Sequence, residues 1–205
     1  MDRKELTERI LELEWEMFTN ATNEGGRASC QDDKPTFLIM RRSQHDAWSI
    51  DTLMSYKKDL DQAAQNEMNL MVIKYAYMME ITFPEDYAAF KDRLPAILPG
   101  AQVLVTEIMK IHSSWSAEAA DKYPKLFSYG RPLTSADSGG SRYAAIDNYL
   151  KSELLTYSEP TLMLCLRDTL KAADAGINMS LEILKNTAQS YGYSSLDATE
   201  AALGR

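Results

Sequence analysis

Cysteine is nearly absent from this chain: Cys30 and Cys165 are the two among 205 residues, and they lie far apart. A disulfide framework needs more, so a stapled secreted scaffold is not expected. Histidine is as scarce, with His45 and His112 alone. Without an HExxH or a paired CxxC, the usual zinc hydrolase and zinc-finger constellations drop out. The nine glycines form neither GxGxxG nor GxxxxGK[ST], so no nucleotide phosphate loop is present. No apolar run approaches the roughly 18 residues that a membrane-spanning helix needs. Basic residues are outnumbered, 22 against 30, for a formal charge of −8. Nucleic acid and anionic membrane are therefore not expected as general partners, because both select a basic surface. A local basic pocket for a small anion stays open.

What is present is the composition of an ordinary globular domain, 45% hydrophobic and 25% charged. A chain of this length buries roughly 70% of its unfolded surface without staples. One domain over residues 1–205 is expected, with the tail after about 193 a short weak helix, loosely attached. The opening MDRKELTERILELEWEMF is charged and helical in pattern rather than the apolar core of an export signal. Together with the two thiols, that reads as a cytoplasmic protein.

The periodicity is helical throughout. Leu6, Ile10, Leu13 and Met17 make one apolar stripe over 3–22. Pro35 suits the first turn of a second helix, with Asp32 or Asp33 as its cap. Ser49 caps a third over 50–65, and NLMVIKYAYMMEITF, apolar on nearly every side, predicts a central buried helix over 68–82. A short helix over 84–92 follows, then one over 101–121. Residues 123–141 hold two prolines and three glycines and read as a long loop, the kind that tends to be functional or mobile. Helices over 142–156, 159–174 and 177–190 complete the chain. The fold expected is all-α, a single irregular bundle of about seven to nine helices.

The densest polar stretch is GGRASCQDDKPTFLIMRRSQHDAW, from Gly25 to Trp48. Its arginines, Arg27, Arg41 and Arg42, carry the planar fork that suits a carboxylate or phosphate; at a helix end Arg41 and Arg42 equally complement the dipole. Cys30 lies between Arg27 and two acids, where a thiol gains thiolate character, although a small buried cysteine is the commoner fate. Lys74 sits mid-way along the most apolar helix. A desolvated lysine serves as a base or Schiff-base nucleophile, against the blander options of snorkelling or pairing with a core acid. Glu153 and Tyr157 are one turn apart on one face, placed to pass protons or to form a buried pair. Glu14, Glu16, Glu67, Glu80 and Glu153 offer carboxylates to a metal, but the Glu-x-x-His signature of bundle metal sites is absent, and no metal is assigned.

GGRASCQDD, IMRRSQHDAW, KYAYMMEITFPEDY and NYLKSELLTYSEPTL together resemble an uncharacterised bacterial family, the forty-one twenty-five domain of unknown function, from about Trp15 to about Tyr191. The family carries no established activity. The resemblance implies that the polar residues in these blocks form its pattern: Arg27, Cys30, Gln31, Asp33, Arg42, Gln44, Trp48, Lys74, Glu153 and Tyr157.

The reading that unites them is a cofactor-independent enzyme of lyase or hydrolase type acting on a small anionic metabolite. In it Lys74, Glu153 and Tyr157 transfer protons. Arg27 and Arg42 hold the anion, and Cys30, Gln31, Asp33, Gln44 and Trp48 line the pocket. A non-catalytic binding or sensory module and a helical partner-binding protein are the alternatives. Convergence of Arg27, Arg42, Lys74 and Glu153 on one cavity is what the enzyme reading requires.

Overall fold

Most helices of the computed structural model, which describes residues 2–22, 26–138 and 144–203, start on a residue chosen for the purpose. Asp2 opens α1 (Arg3–Thr19) with a capping box: its carboxylate accepts from the Glu5 amide at 2.8 Å, and the Glu5 carboxylate accepts from the Asp2 amide at 2.9 Å. Single-sided caps start α2 (Lys34–His45) at Asp33, α3 (Ile50–Gln65) at Ser49 and α4 (Leu70–Thr82) at Asn69. Prolines occupy the first turns of α5 (Pro84–Phe90), α6 (Pro99–Lys122) and α7 (Pro124–Ser128), where a missing N–H costs nothing. After α8 (Ile146–Leu154), Ser158 caps α9 (Glu159–Asp174), Asn178 caps α10 (Met179–Ser190) and Ser195 caps α11 (Leu196–Ala202). Gly176, at φ +68°, closes α9 in the left-handed conformation a side chain disfavours, and the Ile177 amide turns back to the Ala172 carbonyl at 2.8 Å.

The architecture is all-α, with no strand among the described residues. Helix α1 packs on α2, α3 and α4; α6 packs on α8, α9 and α10; the α4–α8, α3–α9 and α2–α10 contacts join the two groups. One core runs through both, including Leu6, Ile10, Leu53, Leu60, Val105, Ile108, Leu162 and Cys165. Among the described residues no helix is long and apolar enough to cross a membrane.

The described helices number eleven rather than seven to nine, the surplus being short pieces that periodicity over several turns does not register. Helix α7 occupies the start of the expected 123–141 loop, which then continues as turns to Ser138. Gly25, the end of that loop at 139–141, and the first two residues expected of the 142–156 helix lie outside the described residues. The tail beyond 193, expected as a short, loosely attached helix, forms α11. Its Leu196 packs with Tyr123 and Ala188 in a second small core, and its Glu200 carboxylate accepts from the backbone amides of Lys125 and Leu126 at 2.8 and 2.9 Å. Helix α4, expected to be enclosed, buries Leu70, Met71, Lys74, Tyr77 and Met78 but leaves Val72 and Ile81 exposed, because among the described residues no helix covers that side.

The joint between α1 and α2 is made by side chains. Gln31, in a 3-10 turn (Ser29–Asp32), is buried; its amide donates to the Phe18 and Ala21 carbonyls at 2.8 Å each, and its oxygen accepts from the Ala28 amide at 2.9 Å. Arg27 donates to the Thr19 carbonyl at 3.0 Å and the Gln31 carbonyl at 2.7 Å. The carbonyls left over at the end of α1 are thus satisfied from the loop that follows. Gln31→Ala strands those buried groups, and the urea midpoint should fall by the equivalent of about 1–3 kcal/mol with helical content retained.

Candidate functional site: a buried ionic centre

Five segments of chain aim polar side chains at one point inside the bundle. Glu14 lies one turn beyond Ile10 on the apolar stripe of α1 and is fully buried. On α2, Arg41, Gln44 and His45 follow at i, i+3 and i+4 and share a face. Tyr56 comes from α3, Lys74 from α4, and Glu153 from α8 with Tyr157 one turn further on. Glu14, Arg41, His45, Tyr56, Lys74, Glu153 and Tyr157 are all buried, and Gln44 is half-buried.

Arg41 is the bridge. Its Nε and Nη2 donate to the two Glu14 oxygens at 3.0 and 2.5 Å. Its Nη1 donates to Glu153 Oε2 at 3.1 Å and to Gln44 Oε1 at 2.8 Å. Glu14 also accepts from the Tyr56 hydroxyl at 2.8 Å and lies 3.0 Å from His45 Nε2. Glu153 accepts from Gln44 Nε2 at 2.9 Å, from the Tyr157 hydroxyl at 2.9 Å and from Lys74 Nζ at 2.5 Å. Two acids and two bases meet out of water, and each acid is held by four donor atoms. That saturation offsets the several kcal/mol that desolvating each charge costs.

The titration of the centre follows from this geometry. Burial pushes the Glu14 carboxyl up, but Arg41 and His45 outweigh it and hold it well below the usual carboxylate range. Burial acts the same way on Glu153, and Arg41 and Lys74 overcome it, bringing that carboxyl down to about 2. Burial, with the neighbouring carboxylates, pushes the Tyr56 and Tyr157 phenols up, so both stay donors.

The centre has an outer face. Lys74 Nζ lies 3.6 Å from the ring centroid of half-buried Tyr149, and the Arg131 guanidinium lies 5.1 Å from the same centroid. The Lys74 charge draws the Tyr149 phenol below its ordinary value despite burial. Tyr75 beside it is pushed up, first by burial and then by Tyr149.

Of the residues marked in the sequence, the structure brings Lys74, Glu153, Tyr157 and Gln44 together. Arg27 and Arg42 do not join them, so the expected four-residue cavity is not formed and the enzyme reading that seated the anion on those two arginines fails in that form. Arg27 and Gln31 are committed to the end of α1, and Asp33 caps α2, accepting from the Thr36 amide at 3.1 Å. Arg42, on the outward side of α2, pairs with Glu8 at 2.9 Å near the surface. Cys30 is an exposed free thiol in the 3-10 turn. Trp48 is buried in the apolar core beside His112, ring centroids 6.2 Å apart. The residues not assigned to the site from sequence are Glu14, Arg41, His45, Tyr56 and Tyr149; of these the sequence offers Arg41 as a guanidinium fork and Glu14 as a carboxylate, and the position of Glu14 on an apolar stripe marks it as inward-facing. Among the described residues no group of three or more His, Cys, Asp or Glu side chains is placed to hold a metal ion.

An all-α protein organised round a buried Glu–Arg–Glu–Lys centre is the class that fold and site define. The family model described as protein of unknown function (DUF4125) matches residues 4–201, so the chain belongs to that family. No curated protein and no solved structure matches the chain.

Removing the bridge leaves two buried carboxylates under-partnered. Arg41→Met should therefore lose about 3–5 kcal/mol of stability in urea unfolding. Acid should act on the same groups. A carboxyl whose folded value lies below its unfolded value near 4.5 stabilises the fold fully above the unfolded value and progressively less as pH falls through the folded one. The urea midpoint should decline between about pH 5 and pH 2, with a shallower slope in Glu153→Gln.

Proposed function

We propose that the protein is an acid–base enzyme, of lyase or hydrolase type, that takes a small anionic metabolite against the outer face of the ionic centre. The observation that carries the reading is the Tyr149 phenol, half-buried, set on Lys74 and acidified by it. A phenol drawn below its ordinary value gives up its proton more readily, which is what a proton-transfer group needs. Arg131, against the same ring, supplies the cation that an anionic substrate needs, the part that Arg27 and Arg42 are too far committed elsewhere to play. Lys74 sets the acidity of Tyr149, while Glu153, steadied by Tyr157 and Gln44, holds Lys74. Buried ion pairs add little net stability compared with apolar packing, so their retention fits a task beyond holding the fold. The two free thiols agree with a reducing compartment such as the cytoplasm. A non-catalytic binding module is the second reading, favoured by the full saturation of Glu14 and Glu153 by partners within the chain.

The test joins titration to binding. Ultraviolet difference spectra should show one tyrosine titrating below the ordinary value of about 10, absent in Tyr149→Phe and moved up in Lys74→Met. A panel of small carboxylates and phosphates, followed by calorimetry, should yield a ligand that wild type binds and Tyr149→Phe and Arg131→Ala bind at least tenfold more weakly. A Tyr149 phenol titrating at or above the ordinary value sinks the enzymatic reading. Binding unaffected by both substitutions removes the outer face as the site.

A further inference from the structure

The donors that converge on Glu153 do not depend on Glu153 for their placement. Arg41 is clamped by two bonds to Glu14, and Gln44 is oriented by accepting from Arg41 at 2.8 Å, which aims its amide nitrogen at the Glu153 carboxylate. The Tyr157 ring packs on Tyr56 with centroids 4.6 Å apart, and Lys74 rests on the Tyr149 ring. Each of the four therefore has a second anchor outside the carboxylate it binds. Two formal positive charges and two neutral donors, drawn from three separate segments of chain, surround one carboxylate at 2.5–3.1 Å. Preorganised donors of this kind are what a carboxylate-binding site consists of.

We propose that Arg41, Gln44, Lys74 and Tyr157 form an autonomous seat for a small monocarboxylate, which the native chain fills with its own Glu153. The ligand class follows from size. Glutamate exceeds alanine by one methylene and one carboxylate, so emptying the seat leaves room for an acetate ion with the charge and the hydrogen-bond acceptors that the donors require. The seat rests on the geometry of the centre alone and does not depend on Tyr149 being an acid–base group.

Full-length Glu153→Ala, with Glu153→Gln and wild type beside it, provides the test. Thermal unfolding is followed at pH 7 in sodium acetate and in sodium chloride of equal ionic strength. Acetate should raise the midpoint of Glu153→Ala saturably, by about 5–10 °C at roughly a hundredfold excess over Kd. It should leave Glu153→Gln and wild type where chloride leaves them, since their seats are filled. If Glu153→Ala is unfolded in chloride, tryptophan fluorescence on refolding into acetate reports the same event as recovery of the native spectrum. A folded Glu153→Ala that responds to acetate no more than to chloride, an unfolded one that acetate does not recover, or a wild-type response equal to that of the variant overturns the proposal.

Discussion

One guanidinium holds two carboxylates apart and together. All three nitrogens of Arg41 are used, two on Glu14 and one shared between Glu153 and Gln44. Glu14 belongs to the first helix and Glu153 to the eighth, so the position of α2 between them is set by a charge balance as well as by shape. Any shift of α1, α2 or α8 that breaks one of these bonds leaves a bare charge away from water, and the penalty is steep because the surroundings contribute little screening. Apolar contacts tolerate small slips; this arrangement does not. The centre thereby narrows the many packings open to a set of amphipathic helices towards one register.

The balance is local. The chain carries an excess of acid, yet Glu14 and Glu153 face Arg41 and Lys74, two against two. The excess is elsewhere, where solvent screens it. Burial pushes each acid towards its neutral form; Arg41 with His45 holds Glu14 ionised, and Arg41 with Lys74 holds Glu153 ionised. The four groups are consequently one unit, and their effects are not separable residue by residue.

Much of this was open to inspection in the sequence. Helix positions followed from apolar spacing and from caps such as Ser49, and Lys74 announced itself by its isolation among Met, Ile and Tyr. Glu153 and Tyr157 were linked by one helical turn. Arg41 and Glu14 were among the candidates, but their pairing with each other was not legible. Neighbours on a helix point about 100° apart, so of Arg41 and Arg42 one faces in and the other out, and only the placement of α1 decides which. Glu14 is one of five glutamates in α1 and differs from the rest only in lying on the stripe. The loop before α2 misled for another reason. Polar side chains near a helix end serve equally as ligand donors or as partners for orphan backbone groups, and Arg27, Gln31 and Asp33 take the second role. Tyr149 owes its chemistry to Lys74, 75 residues earlier, which no local pattern reveals.

The docking of Glu200 on the start of α7 bears on how the chain emerges from the ribosome. The amides of Lys125 and Leu126 wait for an acceptor 75 and 74 residues downstream, and synthesis at about 5–20 residues per second makes that a delay of several seconds. Arg41 and Lys74 wait similarly, 112 and 79 residues, for Glu153. Until Glu153 emerges, closing round two bases and a single acid would leave an unbalanced buried charge, which disfavours early closure of the N-terminal helices. Helix α11, which emerges after Glu153, then fastens a bundle whose ionic centre already holds both of its acids.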